Sequence, residues 1–316
     1  MSRTRHGSWL LRRLLLGVAQ SAAVLVLVFL LTEALPGDAA VALAGDSPDP
    51  ERIARLREAM GLDHPPVERF LERLGGLLRG DLGRSLVTGR PVADYLADGL
   101  GTTLLLAALV LLPLVPLAVW LGMRAARREG GPLDRLISST TLAVYAAPEF
   151  ALGVLLVTVV SLHLGWLPPT AVGGIGADPA VLVLPVLVLL ARPVCSISRL
   201  VRAGMIESLA RPYVRQARRY GVPEWRIHWL HALPNSLAPA AQQLARTCDW
   251  LLCGVVVVES LFVLPGLGSV LLDAVAARDV PVVQGLAVVF ALLAVVLNLA
   301  ADLVARRFAP RTEVTA

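Results

Sequence analysis

The chain has 316 residues, of which 56% are hydrophobic and only 17% are charged, and its formal net charge at pH 7 is +5. Soluble domains carry about 25% charged residues, so this composition excludes a soluble globular protein and indicates a multi-pass membrane protein. All 29 basic residues are arginines, and a chain without lysine cannot contain a lysine-dependent phosphate-binding loop. The arginines lie between apolar stretches, so the positive charge indicates membrane orientation and not nucleic-acid binding.

Six apolar stretches come close to or exceed the length of roughly 20 residues that a helix needs to cross a bilayer. We predict spans at residues 14–32, 102–123, 136–162, 179–196, 240–264 and 282–304. The first follows Arg12-Arg13 and is longer than the apolar core of a signal peptide, which predicts a membrane anchor. The predicted fold class is therefore an all-α integral membrane protein with six transmembrane helices.

The distribution of arginine predicts that both ends of the chain face the cytosol, because cytosolic loops are enriched in positive charge. The two short loops that would lie outside, 165–177 and 265–279, contain a single arginine, Arg278. The long segment 33–100 would also lie outside. Its residues 50–60 and 66–79 have apolar side chains at helical spacing, which predicts a small helical extracytoplasmic segment between the first two spans.

Patterns that support catalysis or metal binding are missing from the sequence. It contains neither the His-Glu-x-x-His zinc motif nor the Gly-x-Ser-x-Gly nucleophile motif. Of the five histidines, only His228 and His231 stand three residues apart. The three cysteines lie in or beside apolar stretches, with neither metal-type nor disulfide-type spacing. We therefore expect no catalytic residues and no metal site.

A basic segment, residues 205–235, separates the fourth and fifth spans. Apolar and small residues at helical spacing predict a helix over 201–220, which Gly221 ends as a C-cap. A second helix is predicted to start at Pro223, because proline suits the first helical turn. The resulting pair of helices on the cytosolic face has an arginine rim. From these residues alone it is a docking surface, a site for anionic lipid, or a loop that only sets the topology.

The spacing of this segment resembles the "EAA" loop of binding-protein-dependent ABC importer permeases. That loop reads E-A-A, three residues, Gly, nine residues, Ile, one residue, Leu-Pro. Here Arg215-Gln216-Ala217 stand at the first three positions, Gly221 follows at the required distance, and the final positions hold His231, Leu233 and Pro234. The alanine, glycine, leucine and proline match, whereas the acid and the isoleucine do not.

Further motifs in the family's order extend this resemblance along nearly the whole chain. "LPGDAA" follows the first span, "GLDHPP" and "GDLGRS" lie in the outer segment, and "NLAAD" lies in the last span. Residues 255–285, "VVVVESLFVLPGLGSVLLDAVAARDVPVVQG", resemble the family's stretch after the coupling loop. The stretch "YVRQARRYG" is similar to the peptide-permease version of the loop. The chain thus resembles a dipeptide/oligopeptide permease subunit of the OppB/DppB type, a branch that also contains nickel and glutathione importers.

The resemblance implies a type I ABC importer permease fold in a bacterial cell membrane. Residues 1–32 would hold the cytosolic N-terminus and first span, 33–100 the extracytoplasmic segment, 101–309 the core permease domain, and 310–316 a cytosolic tail. The resemblance implies three kinds of partner. They are a second permease subunit, expected to form a heterodimer with this chain, an extracytoplasmic binding protein, and two ATPase domains. The ATPase domains would carry ATP and Mg²⁺, and this chain is expected to bind no cofactor.

The resemblance also implies functional residues. The coupling-loop residues it implies are Arg215, Gln216, Ala217, Arg218, Gly221, Pro223, His231, Leu233 and Pro234. The motif residues expected to be structural are Glu259, Pro265, Gly266, Gly268, Asp279 and Asp302.

Ionisable residues inside predicted spans are costly and indicate function. Arg246 and Asp249 stand three residues apart in the fifth span, and Glu149 follows Pro148 in the third. They are candidates for lining the pathway. The alternatives are a mutually neutralised Arg246–Asp249 pair, a helix–helix contact, or a contact with the second permease. A proton-coupled secondary transporter that uses Glu149 or Asp249 is the alternative function, and a receptor without transport is a weaker one.

Overall fold

The computed structural model describes residues 2–34, 40–41, 49–59, 61, 63–172, 175–176 and 178–308. Within these residues the regular structure is helical, apart from an isolated antiparallel bridge between Arg84 and Pro91. The helices are α1 (Ser2–Glu33), α2 (Pro50–Ala59), α3 (Pro66–Leu78), α4 (Val92–Ala126), α5 (Pro132–Ala146), α6 (Glu149–His163), α7 (Pro179–Ala210), α8 (Pro212–Arg219), α9 (Leu233–Leu261), α10 (Leu267–Ala276) and α11 (Val280–Phe308). The predicted all-α class is confirmed for this part of the chain. The predicted tail, 310–316, lies outside it.

The chain forms two compact units that do not follow chain order. The first comprises residues 1–103 and 265–296. Its core is built around Val92, Leu267, Val282 and Leu286, all nearly or fully buried. The two helices predicted in the outer segment are present as α2 and α3, and Met60 of the first prediction lies outside the described residues.

The second unit comprises residues 104–264 and 297–316. Its core runs along the inner faces of α4, α7 and α9, where side chains such as Leu114, Val188 and Leu251 are almost completely buried. Glycine allows helices to approach closely here. A Cβ on Gly122 would lie 2.6 Å from the carbonyl oxygen of Ser198 on α7. Such small-residue contacts are typical of membrane helix packing, where close backbone approach replaces the hydrophobic effect.

Four described helices are long and apolar enough to cross a membrane, or five if one bent pair counts as a single span. The bent pair corrects the prediction of one continuous third span, because α5 and α6 meet at an angle of 107°. Ala147 and Pro148 between them are extended. Proline lacks an N–H and disfavours helical geometry in the residue before it, which explains the break. The predicted fifth span lies in α9. This helix is not among the described helices that are apolar enough to cross a membrane. Its last 18 residues include the charged residues Arg246, Asp249 and Glu259.

The coupling segment also differs from the prediction. The helix predicted over 201–220 is two helices, because α7 continues to Ala210 and Arg211 is extended before α8 begins at Pro212. The second predicted helix begins at Glu224, with Pro223 as the residue before it. It continues through a wider π-helical turn, Ile227–Ala232, directly into α9. Residues 224–261 are thus one uninterrupted helical stretch.

Candidate functional site

The turn after α8 is fixed by backbone geometry. Gly221 has a φ of +75°, in the left-handed region that favours glycine. Its N–H donates to the carbonyl of Arg218 over 3.0 Å, and the N–H of Val222 donates to the carbonyl of Ala217 over 3.1 Å. These two bonds form a Schellman motif, which satisfies carbonyls at the helix end. The predicted C-cap at Gly221 is confirmed.

The inner face of the coupling segment is anchored by apolar burial. Val214 and Ile227, from α8 and from the stretch after the turn, are both fully buried. The hydroxyl of Tyr213 donates to the carbonyl of His231 over 3.3 Å. The side-chain amide of Asn235 donates two hydrogen bonds, one to the Tyr213 hydroxyl oxygen over 3.1 Å and one to the His231 carbonyl over 2.8 Å. These contacts tie α8 to the start of α9.

The outer face of the segment combines aromatic rings with arginines. Tyr220, Trp225 and Trp229 are 77%, 57% and 47% exposed. The guanidinium of Arg226 stacks on the ring of Trp225 at 5.3 Å. Arg215 and Gln216 at the first two motif positions are exposed as well. Exposed aromatic and arginine side chains in one patch are the residues that most often carry protein–protein binding energy.

An ion pair closes the turn from its exposed side. Arg218 donates from Nε to Oε1 of Glu224 at 2.7 Å and from Nη2 to Oε2 at 3.3 Å. The hydrogen bond from Arg218 lowers the pKa of the Glu224 carboxyl, and the same bond raises the pKa of Arg218. Both side chains are about half exposed, so the pair orients the turn and contributes little to global stability.

A buried ion pair that the sequence did not predict joins the C-terminal part of α7 to α5. Arg202, near the end of α7, donates to both carboxylate oxygens of Asp134 at the start of α5, over 2.5 and 2.7 Å. Asp134 is almost fully buried. Gly204, two residues on, lets α7 approach α9, since a Cβ there would lie 2.8 Å from that of Ser236. The feature of the sequence that could have indicated this pair is Asp134 itself, an isolated acid at the start of an apolar helix.

The predicted pathway residues of α9 lie near the surface of the second unit. Arg246 and Asp249 are exposed, and among the described side chains no ion pair joins them. The side-chain amide of Asn298 on α11 donates instead to Asp249. The intrahelical pair that the spacing allows is therefore not formed. Arg246 lies at the surface of the unit.

Glu149 stands at the bend between α5 and α6 and faces an arginine that the sequence analysis did not single out. The Arg192 guanidinium lies 3.9 Å from the Glu149 carboxylate and stacks on the ring of Tyr145 at 5.0 Å. The same carboxylate interacts with the side chain of Trp250 on α9. A Cβ on Gly254, one turn further on, would lie 3.0 Å from Glu149 Oε2. Arg192 is the only charged residue between positions 179 and 198, which was the available signal.

The residues expected to be structural occupy tight positions. Asp279 is buried and accepts hydrogen bonds from the Ser85 hydroxyl at 2.5 Å and from the backbone N–H of Leu86 at 3.1 Å. Gly266 precedes α10 and lies against Gly99, whose Cβ would come within 3.0 Å of the Gly266 carbonyl carbon. Gly268 is buried, whereas Pro265 is exposed.

Two acidic motif residues belong to the second unit. Glu259 is fully buried, and its backbone carbonyl accepts the N–H of Leu264 over 2.8 Å. Asp302 is half-buried, and the side chain of Arg306, four residues on, lies outside the described residues. No group of three described His, Cys, Asp or Glu side chains is arranged to hold a metal ion.

Several apolar helices, together with a basic turn whose aromatic side chains are exposed, define a multi-pass membrane protein. Comparison with known families identifies that class. Residues 118–314 match the binding-protein-dependent transport system inner membrane component, and residues 7–107 match the N-terminal part of such membrane components. The chain belongs to this family. Proteins of this family are permease subunits of ABC importers and not enzymes, since ATP hydrolysis lies in separate subunits.

Individual relatives align along almost the whole chain. A probable peptide ABC transporter permease protein of Sinorhizobium fredii is 32% identical over 309 residues, covering 96% of this chain and 99% of its own. The glutathione transport system permease protein GsiC of Escherichia coli (strain K12) is 36% identical over 296 residues, covering 93% of this chain and 95% of its own. The resemblance to peptide-type importer permeases expected from the sequence motifs is confirmed.

Proposed function

We propose that this chain forms half of the translocation pathway of an ATP-driven importer for dipeptides, oligopeptides or a related small solute such as glutathione or a nickel complex. It crosses a bacterial cell membrane six times with both ends in the cytosol, and residues 33–100 lie outside. The relatives named for peptide and glutathione transport support the solute class. The length of this segment supports its external placement, since long segments cross the membrane largely regardless of their charge.

The geometry of the coupling segment is the observation that carries this proposal. Its buried face ties α8 to the start of α9, while its exposed face presents Tyr220, Trp225 and Trp229 beside the motif residues Arg215 and Gln216. On this proposal, α8 and the Gly221 turn sit in a groove of an ATPase subunit. Closure of the ATPases on ATP and Mg²⁺ pulls this turn, and α9 moves with it because residues 224–261 are one helical stretch.

The remaining partners follow from the same scheme. A second permease subunit, in a heterodimer, supplies the other half of the pathway, and an extracytoplasmic binding protein delivers the solute to the outer face. Arg246 and Asp249 on the surface of α9, together with Glu149, are the candidate contacts for the solute or for the second permease. This chain contributes positioning and force transmission and binds no cofactor of its own.

Cross-linking of the coupling turn to the ATPase tests the proposal. Tyr220→Cys is preferred over a cysteine at Gly221, because residue 220 is highly exposed whereas a side chain at 221 is strained by the positive φ. The background replaces the native cysteines Cys195, Cys248 and Cys253 by alanine. Trp166→Cys, equally exposed in a loop that would lie outside, is the matched control.

We expect a cross-link between residue 220 and a co-expressed ATPase subunit whose yield changes with ATP, and none from residue 166. Uptake in reconstituted vesicles is measured in parallel. Uptake that persists without ATP but collapses with the proton gradient, together with no cross-link, would replace this proposal by the proton-coupled secondary transporter.

A further inference from the structure

Arg192 differs from the other paired arginine of α7 in how its charge is satisfied. Arg202 makes two hydrogen bonds to Asp134, at 2.5 and 2.7 Å. Arg192 lies 3.9 Å from Glu149, beyond hydrogen-bonding distance, and it makes no hydrogen bond to any described residue. Its side chain is 39% exposed, although it is the only charged residue between positions 179 and 198. Five N–H donors thus remain without a hydrogen-bond partner among the described residues, within an apolar span.

An exposed guanidinium at this position is incompatible with lipid. A charged side chain within the hydrocarbon region costs several kcal/mol, and such residues face a water-filled cavity or a protein partner. Extended backbone at membrane depth is tolerated only where it is buried or lines a cavity. Ala147 and Pro148, at the bend two residues before Glu149, have this extended backbone, and Pro148 is exposed. Both features favour a polar environment beside Arg192.

The surroundings orient the guanidinium and leave its hydrogen-bonding edge available. The ring of Tyr145 covers one face of its plane at 5.0 Å. Glu149, only 15% exposed and in contact with Trp250, balances the charge from one side. A planar guanidinium held by stacking is pre-organised for a bidentate contact with a carboxylate. Lysine could not replace this geometry, because its ammonium is a point charge.

We propose that Arg192, positioned by Tyr145 and Glu149, is a contact site for a carboxylate of the solute during its passage through the permease. This inference rests on the proposed function, since peptides and glutathione share a free carboxylate. It names a specificity-determining residue within the permease itself, in addition to the selection exerted by the binding protein. The solute carboxylate takes the guanidinium edge that Glu149 does not reach.

The first test uses the complete importer in vesicles, with trialanine and trialanine amide as probes, each at a concentration that saturates the binding protein. The variants are Arg192→Gln and Arg192→Lys. Arg199→Gln is the matched control, because Arg199 is exposed two turns further along the same helix. Co-purification of the ATPases and of the second permease is measured for each variant.

Arg192→Gln should lower trialanine uptake about tenfold, the effect of losing one charge-assisted hydrogen bond. Uptake of the amide should stay at its wild-type value, Arg192→Lys should recover part of the trialanine uptake, and Arg199→Gln should match wild type. Equal losses for both probes, no loss at all, or loss of the second permease from the complex would each overturn the assignment. Absence of ATP-dependent uptake of trialanine, dialanine and glutathione alike by the wild-type importer would instead remove the peptide-type function proposed above, and the inference with it.

The second test asks whether residue 192 lies on a water-filled path. Arg192→Cys in the cysteine-free background is exposed to a membrane-impermeant sulfonate thiol reagent, with and without trialanine-loaded binding protein and ATP. The site is supported if trialanine slows the labelling of residue 192 and trialanine amide slows it less. A cysteine that stays unlabelled throughout the ATP cycle would contradict it.

Discussion

Arg202 and Asp134 form a bidentate ion pair between α7 and α5, with Nε–Oδ1 and Nη2–Oδ2 distances of 2.5 and 2.7 Å. The backbone N–H of Gly130 donates to the same carboxylate over 2.8 Å, and the hydroxyl of Ser138 over 3.2 Å. The pair lies one helical segment away from the coupling turn. It therefore fixes α7 against α5 at the end of the helix through which force would enter the membrane.

Removing one partner of this pair should destabilise the protein strongly. Arg202→Gln leaves a buried carboxylate without its counter-charge, and the loss expected for such a change is about 3–5 kcal/mol. Thermal unfolding of the purified importer in lipid nanodiscs measures it, with Arg135→Gln as an exposed control on α5. Adding Asp134→Asn to Arg202→Gln should restore part of the stability. If the double variant lost as much stability as Arg202→Gln and Asp134→Asn lose separately when summed, the two side chains would not be coupled.

The left-handed turn at Gly221 should be sensitive to any side chain. Gly221→Ala places a Cβ at a φ of +75°, which costs about 1–2 kcal/mol in the turn. Because open space surrounds this glycine, the effect is conformational and not a clash. Gly165→Ala is the control, since Gly165 also has a positive φ and open space. We expect reduced solute uptake per ATP for Gly221→Ala only, and equal effects of the two variants would argue against a coupling role.

The exposed tryptophans of the coupling segment should carry binding energy for the ATPase. Trp225→Ala should lower the amount of ATPase that co-purifies with the permease about tenfold, as expected for truncation of an interface anchor. Trp229→Ala should act in the same direction. Trp166→Ala, in a distant exposed loop, should have no effect. Full retention of the ATPase by both coupling-segment variants would place the docking surface elsewhere.

The Arg218–Glu224 pair predicts a pH dependence of the coupling turn. The folded-state pKa of Glu224 is lowered by Arg218, so its contribution is present above the unfolded pKa of about 4.3 and is lost as pH falls through the lower folded pKa. Because both side chains are about half exposed, the contribution is at most about 0.5 kcal/mol.

Cross-linking yield from Tyr220→Cys reports on the orientation of this turn. At neutral pH the yield should differ between the protein that has Glu224 and the Glu224→Gln variant. This difference in yield should shrink as the pH falls below 4, and also at high salt. A difference that grows towards acid pH would have the wrong sign for this pair.

Arg246 on α9 is expected to act in transport without holding the fold. It is exposed and forms no ion pair with Asp249, so Arg246→Ala should leave the folded yield and the subunit composition unchanged. Solute uptake should fall several-fold if the guanidinium meets the solute. Uptake equal to wild type would remove Arg246 from the pathway, and loss of the second permease would make it a subunit contact.

The amino-acid pattern was sufficient for features that depend on neighbouring residues. The helical periodicity of residues 50–60 and 66–79 predicted α2 and α3 closely, because one apolar face per turn is a local property. The Gly221 turn was predictable for the same reason, since only glycine tolerates a left-handed residue at low cost. The spacing from Arg215 to Pro234, together with the further motifs in the family's order along the chain, was sufficient to identify the family. The prediction of one continuous third span was wrong at Ala147–Pro148. It gave more weight to the length of the apolar run than to the local effect of the proline.

The pairing of charges across helices was decided by the tertiary structure alone. Asp134 and Arg202 are 68 positions apart, and Ser85 and Asp279 are 194 positions apart, so no local pattern relates them. Arg192 was indistinguishable from a topological arginine until the bend before Glu149 placed a carboxylate beside it. The physical reason is the same in each case. Hydrophobicity and backbone sterics act along the chain and determine which segments are helical, whereas helix packing determines which charges meet within the membrane.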